Sequence, residues 1–156
     1  MKTPTDPARI KLLQSMPISG GISEDALVHL MGIAAVETLP PNEYYYHEGD
    51  PADYLLVLET GKASMFKTHN SREYPLRVLE RGDCFGEVAL IDLNPRNTSV
   101  RTLEPCGAIR LSADDLFSLY QRDLEQFTII YMSMARELCR RLRDADQRLF
   151  QVDLSS

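Results

Sequence analysis

Phe85-Gly86-Glu87-Val88-Ala89-Leu90-Ile91-Asp92-Leu93-Asn94-Pro95-Arg96-Asn97-Thr98-Ser99-Val100 is the stretch on which the reading of this chain turns. A glycine after an apolar pair lets the backbone take a positive φ or approach a ligand closely, and a short helix opening near Glu87 would turn free amides toward an anion. Glu87 can only accept hydrogen bonds, so it suits a sugar hydroxyl and repels a phosphate placed directly on it. Arg96 follows nine residues later, after Pro95, and its planar fork can hold a phosphate bidentately. Asn97, Thr98 and Ser99 add amides and short polar side chains. Carboxylate for sugar and guanidinium for anion together describe a cradle for a ribose bearing one phosphate. Either charge alone would be as well explained as a surface ion pair; their position around Gly86 and Pro95 in one loop favours the cradle.

On either side of this loop the pattern is β-type. Short runs at 44–47, 54–58, 63–68, 74–79, 99–102 and 107–111 are separated by turn residues at Pro40-Pro41-Asn42, Glu48-Gly49-Asp50, Thr60-Gly61, His69-Asn70-Ser71 and Arg81-Gly82-Asp83. Many short strands at near-regular spacing predict a small antiparallel roll or barrel, in which closure or double-sheet packing hides the strand edges.

The flanks read as helical. Ile10, Leu12 and Leu13 precede a break at Pro17 and Gly20-Gly21, after which Ser23 can cap a segment carrying Ala26, Leu27, Leu30, Met31 and Ala34 at helical spacing. Past the roll, Ser112-Ala113-Asp114-Asp115 supplies an N-cap and first-turn acids for a helix to about Arg122. Then Leu124, Phe127, Tyr131, Met134, Leu138, Leu142, Ala145, Leu149 and Val152 alternate by threes and fours with one stutter near Leu138, the pattern of a coiled-coil seam. No Pro or Gly interrupts 124–156, and so long a helix outruns a small domain. Its distal half is therefore expected to meet a second copy, giving a homodimer through 124–152.

With 156 residues, 44% hydrophobic and 26% charged, the chain has room for one domain with an apolar core. The single domain is read as a helical segment at 1–36, a roll at 37–112 containing the cradle at 85–100, and lid or dimerisation helices at 113–152. The uncharged run 26–36 is far short of a membrane span, and the opening Met1-Lys2-Thr3-Pro4-Thr5-Asp6-Pro7 has no apolar leader, so no membrane partner is expected. Cys84, Cys106 and Cys139 show no metal or disulfide spacing, which fits reduced thiols in a cytoplasmic protein. A net charge of −6 opposes nucleic acid as a partner, and the arginines at 136, 140, 141 and 143 are interleaved with acids.

These residues resemble the phosphate-binding cassette of the cyclic nucleotide-binding domains found in catabolite-activator proteins, kinase regulatory subunits and cyclic nucleotide-gated channels. The likeness extends to the Glu48-Gly49-Asp50, Thr60-Gly61 and Arg81-Gly82-Asp83 turns and to the final helices. It implies an α+β, mainly β fold: an eight-stranded antiparallel β-roll of jelly-roll type, with N-terminal helices and a long C-terminal helix. It further implies a cyclic nucleotide ligand, cAMP before cGMP, held by Phe85, Gly86, Glu87, Val88, Ala89, Arg96, Asn97, Thr98 and Ser99. Glu87 would accept the 2′-hydroxyl and Arg96 would neutralise the phosphodiester. The base would lie near Met65 and Leu76 under a lid formed by Arg140, Arg141 and Leu142. Asn97 stands where Ala, Ser or Thr is usual in the family, which leaves the purine open.

The resemblance implies a regulatory protein with no catalytic residues, no metal and no cofactor, signalling through its last helix to a protein partner. Catabolite-activator relatives continue into a helix-turn-helix, and the absence of such a segment points to a stand-alone sensor or an excised regulatory domain. Two other readings are carried forward. One is a degenerate roll that binds other proteins and no nucleotide. The other is a metal-dependent β-barrel enzyme, against which His29, His47 and His69 are scattered and form no H-x-H pair.

Overall fold

The computed structural model of the chain describes residues 6–156. Residues 1–5, the greater part of the opening stretch read as carrying no leader, lie outside the described residues. Helix α1 (Pro7–Gln14), a 3-10 turn (Pro17–Ser19) and α2 (Glu24–Ile33) precede the strands β1 (Ala35–Leu39), β2 (Tyr44–Tyr46), β3 (Tyr54–Thr60), β4 (Ala63–His69), β5 (Arg72–Leu79) and β6 (Cys84–Phe85). The short helix α3 (Glu87–Asp92) leads to β7 (Ser99–Thr102) and β8 (Cys106–Ser112), and α4 (Ala113–Arg122) and α5 (Leu124–Leu154) complete the chain. The strands form two four-stranded antiparallel sheets, in the orders β1-β8-β3-β6 and β2-β7-β4-β5. This is the β-roll expected from the sequence.

The turns fold as their residues dictate. Asn42, Gly49, Gly61, Asn70, Ser71 and Gly82 all take positive φ at the predicted breaks. At Gly61 the freedom is obligatory, because a Cβ there would sit 2.3 Å from the carbonyl oxygen of Pro105.

Strand β3 divides the core. Leu55 and Val57 face outward into a cluster with Ile10, Leu13, Leu27, Leu30, Leu116, Leu119, Ile130 and Met134, which fixes the helices to the roll. Leu56 and Leu58 face inward with Tyr45, Tyr46, Phe85 and Val100. The period-two alternation of a strand buried on both faces puts successive residues in different clusters, each fully buried leucine contributing about 1.5 to 3 kcal/mol. Arg9 adds a buried bidentate pair, with Nε and Nη2 donating to Glu59 at 2.6 and 2.9 Å, and so ties α1 to β3.

The helix starts match their capping residues. Ser23 Oγ accepts from the Ala26 amide at 3.2 Å, and Ser112 with Asp115 forms a reciprocal capping box. The roll begins two residues earlier than the pattern suggests: α2 stops at Ile33, and Ala35 is already paired with Arg110 of β8. Ala34-Ala35-Val36 continues the apolar spacing of α2, and the long-range ladder to β8 overrides it. β6 has only two residues, too few to show a period, and is held by pairing with Leu56 and Val57.

Helix α5 runs uninterrupted for 31 residues. Its buried face is Ile130, Ser133 and Met134, with Phe127 and Tyr131 half-buried, whereas Leu124 at the start of the expected seam is 55% exposed. Beyond the cavity, Leu149 and Val152 are 63% and 62% exposed, so the distal part of the helix carries its apolar stripe into open solvent.

Candidate functional site

Between the cradle loop and the last helix lies a cavity of about 750 Å3. Gly86, Glu87, Val88, Ala89, Arg96, Asn97 and Thr98 form its inner end, Tyr46, Met65, Leu76 and Arg77 its sheet wall, and one face of α5 its roof.

Arg96 is 3% exposed. Its Nη1 donates to the Gly86 carbonyl and its Nη2 to the Tyr54 carbonyl, both at 2.7 Å, while Nε is buried and has no hydrogen-bond partner among the described residues. The guanidinium stacks with the rings of Tyr46 and Tyr54, 4.1 and 4.6 Å from their centroids. Among the described residues no carboxylate lies within ion-pair distance of it. A buried cation held only by carbonyl dipoles and ring faces is costly unless an anion completes it. The loop carrying it is fastened to the β2–β3 turn, the Gly49 amide donating to the Arg96 carbonyl at 2.8 Å and the Arg96 amide to the Asp50 carbonyl at 2.9 Å. Lys67 Nζ braces the same loop through the Asn97 carbonyl at 2.7 Å.

Gly86 has φ 81, and a Cβ there would lie 2.6 Å from Arg96 Nη1, so only glycine lets the backbone and the guanidinium come together. Burial pushes the Tyr46 phenol up to about 12, against the opposing pull of the Arg96 charge, so the ring stays neutral beside the cation.

Glu87, 3% exposed, opens α3 nine residues from the point where the chain re-enters the cavity at Arg96. Its Oε1 accepts a close hydrogen bond from Arg141 Nη1 of α5, and Arg141 Nη2 donates to the Cys84 carbonyl at 3.1 Å. Among the described residues nothing donates to Oε2, which leaves one carboxylate oxygen for a ligand hydroxyl. Burial, and after it the Glu87 charge, pushes the Cys84 thiol well above its ordinary range, so it stays protonated beneath the pair.

The structure gathers Gly86, Glu87, Val88, Ala89, Arg96, Asn97, Thr98, Met65, Leu76, Arg141 and Leu142 around one cavity. Three of the residues singled out from sequence do not line it. Phe85 is wholly buried in the roll core, where its ring packs on Tyr45 and Tyr46. Ser99 is buried and accepts from the Glu48 amide at 2.8 Å. Arg140 points away from the roof and pairs with Glu137 on the surface of α5. Sequence reasoning missed Tyr46, for which the Tyr44-Tyr45-Tyr46 run was the available signal, and Tyr54, both stacked on Arg96; it also missed Arg77 of β5, and Glu137, Leu138, Asp144, Ala145 and Arg148, which only the docking of α5 brings in. Among the described residues no group of three or more His, Cys, Asp or Glu is placed to hold a metal ion, and no helix is long and apolar enough to cross a membrane.

The arrangement offers a buried cation for an anion, a carboxylate oxygen for a hydroxyl and an apolar slot beyond them. The family model for the cyclic nucleotide-binding domain matches residues 36–123. The chain belongs to that family. It is 26% identical over 138 residues to the cyclic AMP receptor protein of Thermus thermophilus, covering 88% of this chain and 62% of that protein. It is 27% identical over 144 residues to isozyme 1 of the cGMP-dependent protein kinase of Drosophila melanogaster, covering 84% of this chain and 19% of the kinase. A solved cyclic nucleotide-binding domain from Methylobacillus flagellatus shares the fold with a TM-score of 0.82 at 23% identity, over 92% of this chain and 83% of that one.

Proposed function

We propose that this chain is a non-catalytic cyclic nucleotide sensor whose ligand is a purine ribose 3′,5′-cyclic monophosphate. The observation that carries the reading is Arg96, a buried guanidinium with no carboxylate partner among the described residues, at the inner end of a cavity that Glu87 also lines. The phosphodiester pairs with Arg96, and the ribose 2′-hydroxyl donates to Glu87 Oε2. A monoanion suits one unpaired cation, while Glu87 opposes the second charge of an open 5′-phosphate. cAMP, the ligand that the sequence resemblance favours, and cGMP share this phosphoribose and use it identically. The relatives reported above are named for each of the two.

The output runs through α5. Arg141 and the ligand hydroxyl occupy the two oxygens of one carboxylate, so ligand binding and docking of the helix support each other. The free apolar stripe at Leu149 and Val152 makes a parallel homodimer the structure through which the helix position is read by a protein partner. The free thiols of Cys84, Cys106 and Cys139 fit a reducing, cytoplasmic setting.

Thermal unfolding with added nucleotide tests the reading. cAMP or cGMP at about 100 times its dissociation constant adds about 2.7 kcal/mol, a rise of roughly 5 to 11 °C in Tm for a domain of this size. A shift as large with 5′-AMP as with both cyclic nucleotides, or none with any of them, overturns it.

A further inference from the structure

The two carbonyls that accept from Arg96 fix two corners of its fork and leave the plane of the fork free to tilt. What fixes the plane is aromatic. Tyr46 of β2 and Tyr54 of β3 stand with their ring centroids 4.1 and 4.6 Å from Arg96 Cζ, inside the distance of about 6 Å at which a ring face attracts a cation. A planar guanidinium packs on ring faces while its N–H groups still point outward in its own plane. A carboxylate in the same place would hold the fork as firmly, but it would take those N–H groups and neutralise the charge, and an incoming anion would have to displace it.

The two rings differ in what else they meet. Tyr46 lines the cavity, and a Cβ on Gly86 would stand 3.4 Å from its Cε1 and 2.6 Å from Arg96 Nη1, so ring, glycine and fork converge on one point. Burial pushes the Tyr46 phenol up to about 12, which keeps that ring uncharged beside the cation. Tyr54 stands 42 residues before Arg96 and is not among the residues that line the cavity. It holds the fork twice, through its carbonyl on Nη2 and through its ring face. The ring is itself fixed: its hydroxyl donates to the Tyr45 carbonyl at 3.3 Å, and Arg110 of β8, which lies 3.8 Å from Glu37 of β1, has its Cζ 3.6 Å from the ring centroid.

We infer that Tyr54 is a positioning residue for the ligand phosphate, its ring holding the Arg96 fork in the anion-binding orientation with the charge left unneutralised and without itself touching the ligand. The inference rests on the cyclic mononucleotide reading of the cavity. In the empty protein the ring stands in for a counter-ion, so the phosphate meets a cation already oriented and already stripped of water. The cost of ordering that side chain then falls on folding and not on binding.

Calorimetric titration of the full chain with cAMP and cGMP decides it, using Tyr54→Phe, Tyr54→Leu, Tyr54→Met, Tyr44→Leu and Arg96→Ala, with urea unfolding to record the stability of each. Leu and Met both keep apolar bulk and the backbone carbonyl and remove the ring face, so a folding failure in one leaves the other to decide. Phe keeps the ring face and loses only the hydroxyl. Tyr44, whose ring lies against His47 and Arg101 and does not line the cavity, is the control for losing a stacked tyrosine elsewhere in the roll. Tyr54→Leu and Tyr54→Met weaken binding of both nucleotides about 3- to 30-fold, no more than one ring–cation contact is worth, and Tyr54→Phe recovers most of that loss. Tyr44→Leu binds as wild type. In nuclear magnetic resonance the Arg96 Nε–H proton, moved upfield by ring current in wild type and in Tyr54→Phe, shifts downfield in Tyr54→Leu, which a general loss of stability does not produce. Equal losses in Phe, Leu and Met, a loss in Tyr44→Leu as large as in Tyr54→Leu, an unmoved Nε–H resonance, or wild-type affinity in Tyr54→Leu while Arg96→Ala loses binding, each overturns the role of the ring and leaves the cavity reading standing. Absence of binding by wild type, or wild-type binding by Arg96→Ala, overturns the cavity reading and the inference with it.

Discussion

Replacing Gly86 by alanine asks whether the contact between this residue and Arg96 serves ligand binding or only the fold. The backbone at Gly86 has φ 81, so an alanine there costs about 1 to 2 kcal/mol of left-handed strain before any contact is made. The added Cβ would stand 2.6 Å from Arg96 Nη1 and 3.4 Å from both Arg96 Cζ and Tyr46 Cε1. The obstacle is the end of a long side chain, so the guanidinium yields, and it cannot yield while Nη1 stays 2.7 Å from the Gly86 carbonyl. One charge-assisted hydrogen bond to the ligand phosphate is worth about 1.5 to 3 kcal/mol, so the displaced fork weakens binding by roughly 10- to 150-fold. Gly61→Ala supplies the control. At φ 85 it has the same backbone strain, and its Cβ meets the Pro105 carbonyl oxygen at 2.3 Å, a backbone obstacle remote from the cavity. Urea unfolding should show Gly61→Ala losing at least as much stability as Gly86→Ala, and calorimetry should show only Gly86→Ala losing affinity. Equal affinity for the two variants, at whatever stability, would refute the claim that Gly86 exists to seat Arg96 on a ligand.

Three further outcomes are expected. Arg141→Ala leaves the buried Glu87 carboxylate without its cation, so hydrogen exchange across 141–154 accelerates and cyclic nucleotide binding weakens by about 1.5 to 3 kcal/mol; unchanged exchange would separate α5 from the site. Leu149→Glu places a charge on the free stripe and converts a dimer to a monomer in sedimentation, a better probe than Leu138, which faces the cavity; a wild-type chain that is monomeric at high concentration defeats the dimer proposal. The Cys84 thiol, pushed up by burial, contributes stability that is complete below the unfolded thiol pKa of about 8.5 and is lost as pH rises above it toward the folded value. Stability measured from pH 8 to 10 should therefore fall more steeply for wild type than for Cys84→Ala, by up to about 1.4 kcal/mol per pH unit, and parallel slopes would contradict the assignment.

What could be read from sequence was local. The turns at Gly49, Gly61 and Gly82 and the caps at Ser23 and Ser112 depend on residues within a few positions of each other, and they fold as their chemistry requires. Glu87 and Arg96 were legible for the same reason, since one loop carries both. β1 was not among the runs read from the sequence, because Ala34, Ala35 and Val36 continue a helical spacing, and only pairing with β8, about seventy residues away, makes 35–39 a strand. β6 was invisible because two residues carry no period. The roof of the cavity was misread at Arg140 and incomplete beyond Leu142, because the seam pattern of α5 does not say which of its faces meets the roll. Helix docking through Ile130, Ser133 and Met134 sets that rotation, and turns Arg141, Asp144 and Arg148 inward and Arg140 outward.

The central claim is that Arg96 waits for the phosphate of a cyclic nucleotide. Titrating cAMP and cGMP by calorimetry into wild type, Arg96→Lys and Arg96→Ala tests it most directly, with circular dichroism confirming that each variant is folded. The account predicts binding by wild type, weaker binding by Arg96→Lys, which keeps the charge and loses the fork, and a loss of at least 10- to 150-fold for folded Arg96→Ala. Equal affinity in all three proteins would contradict it.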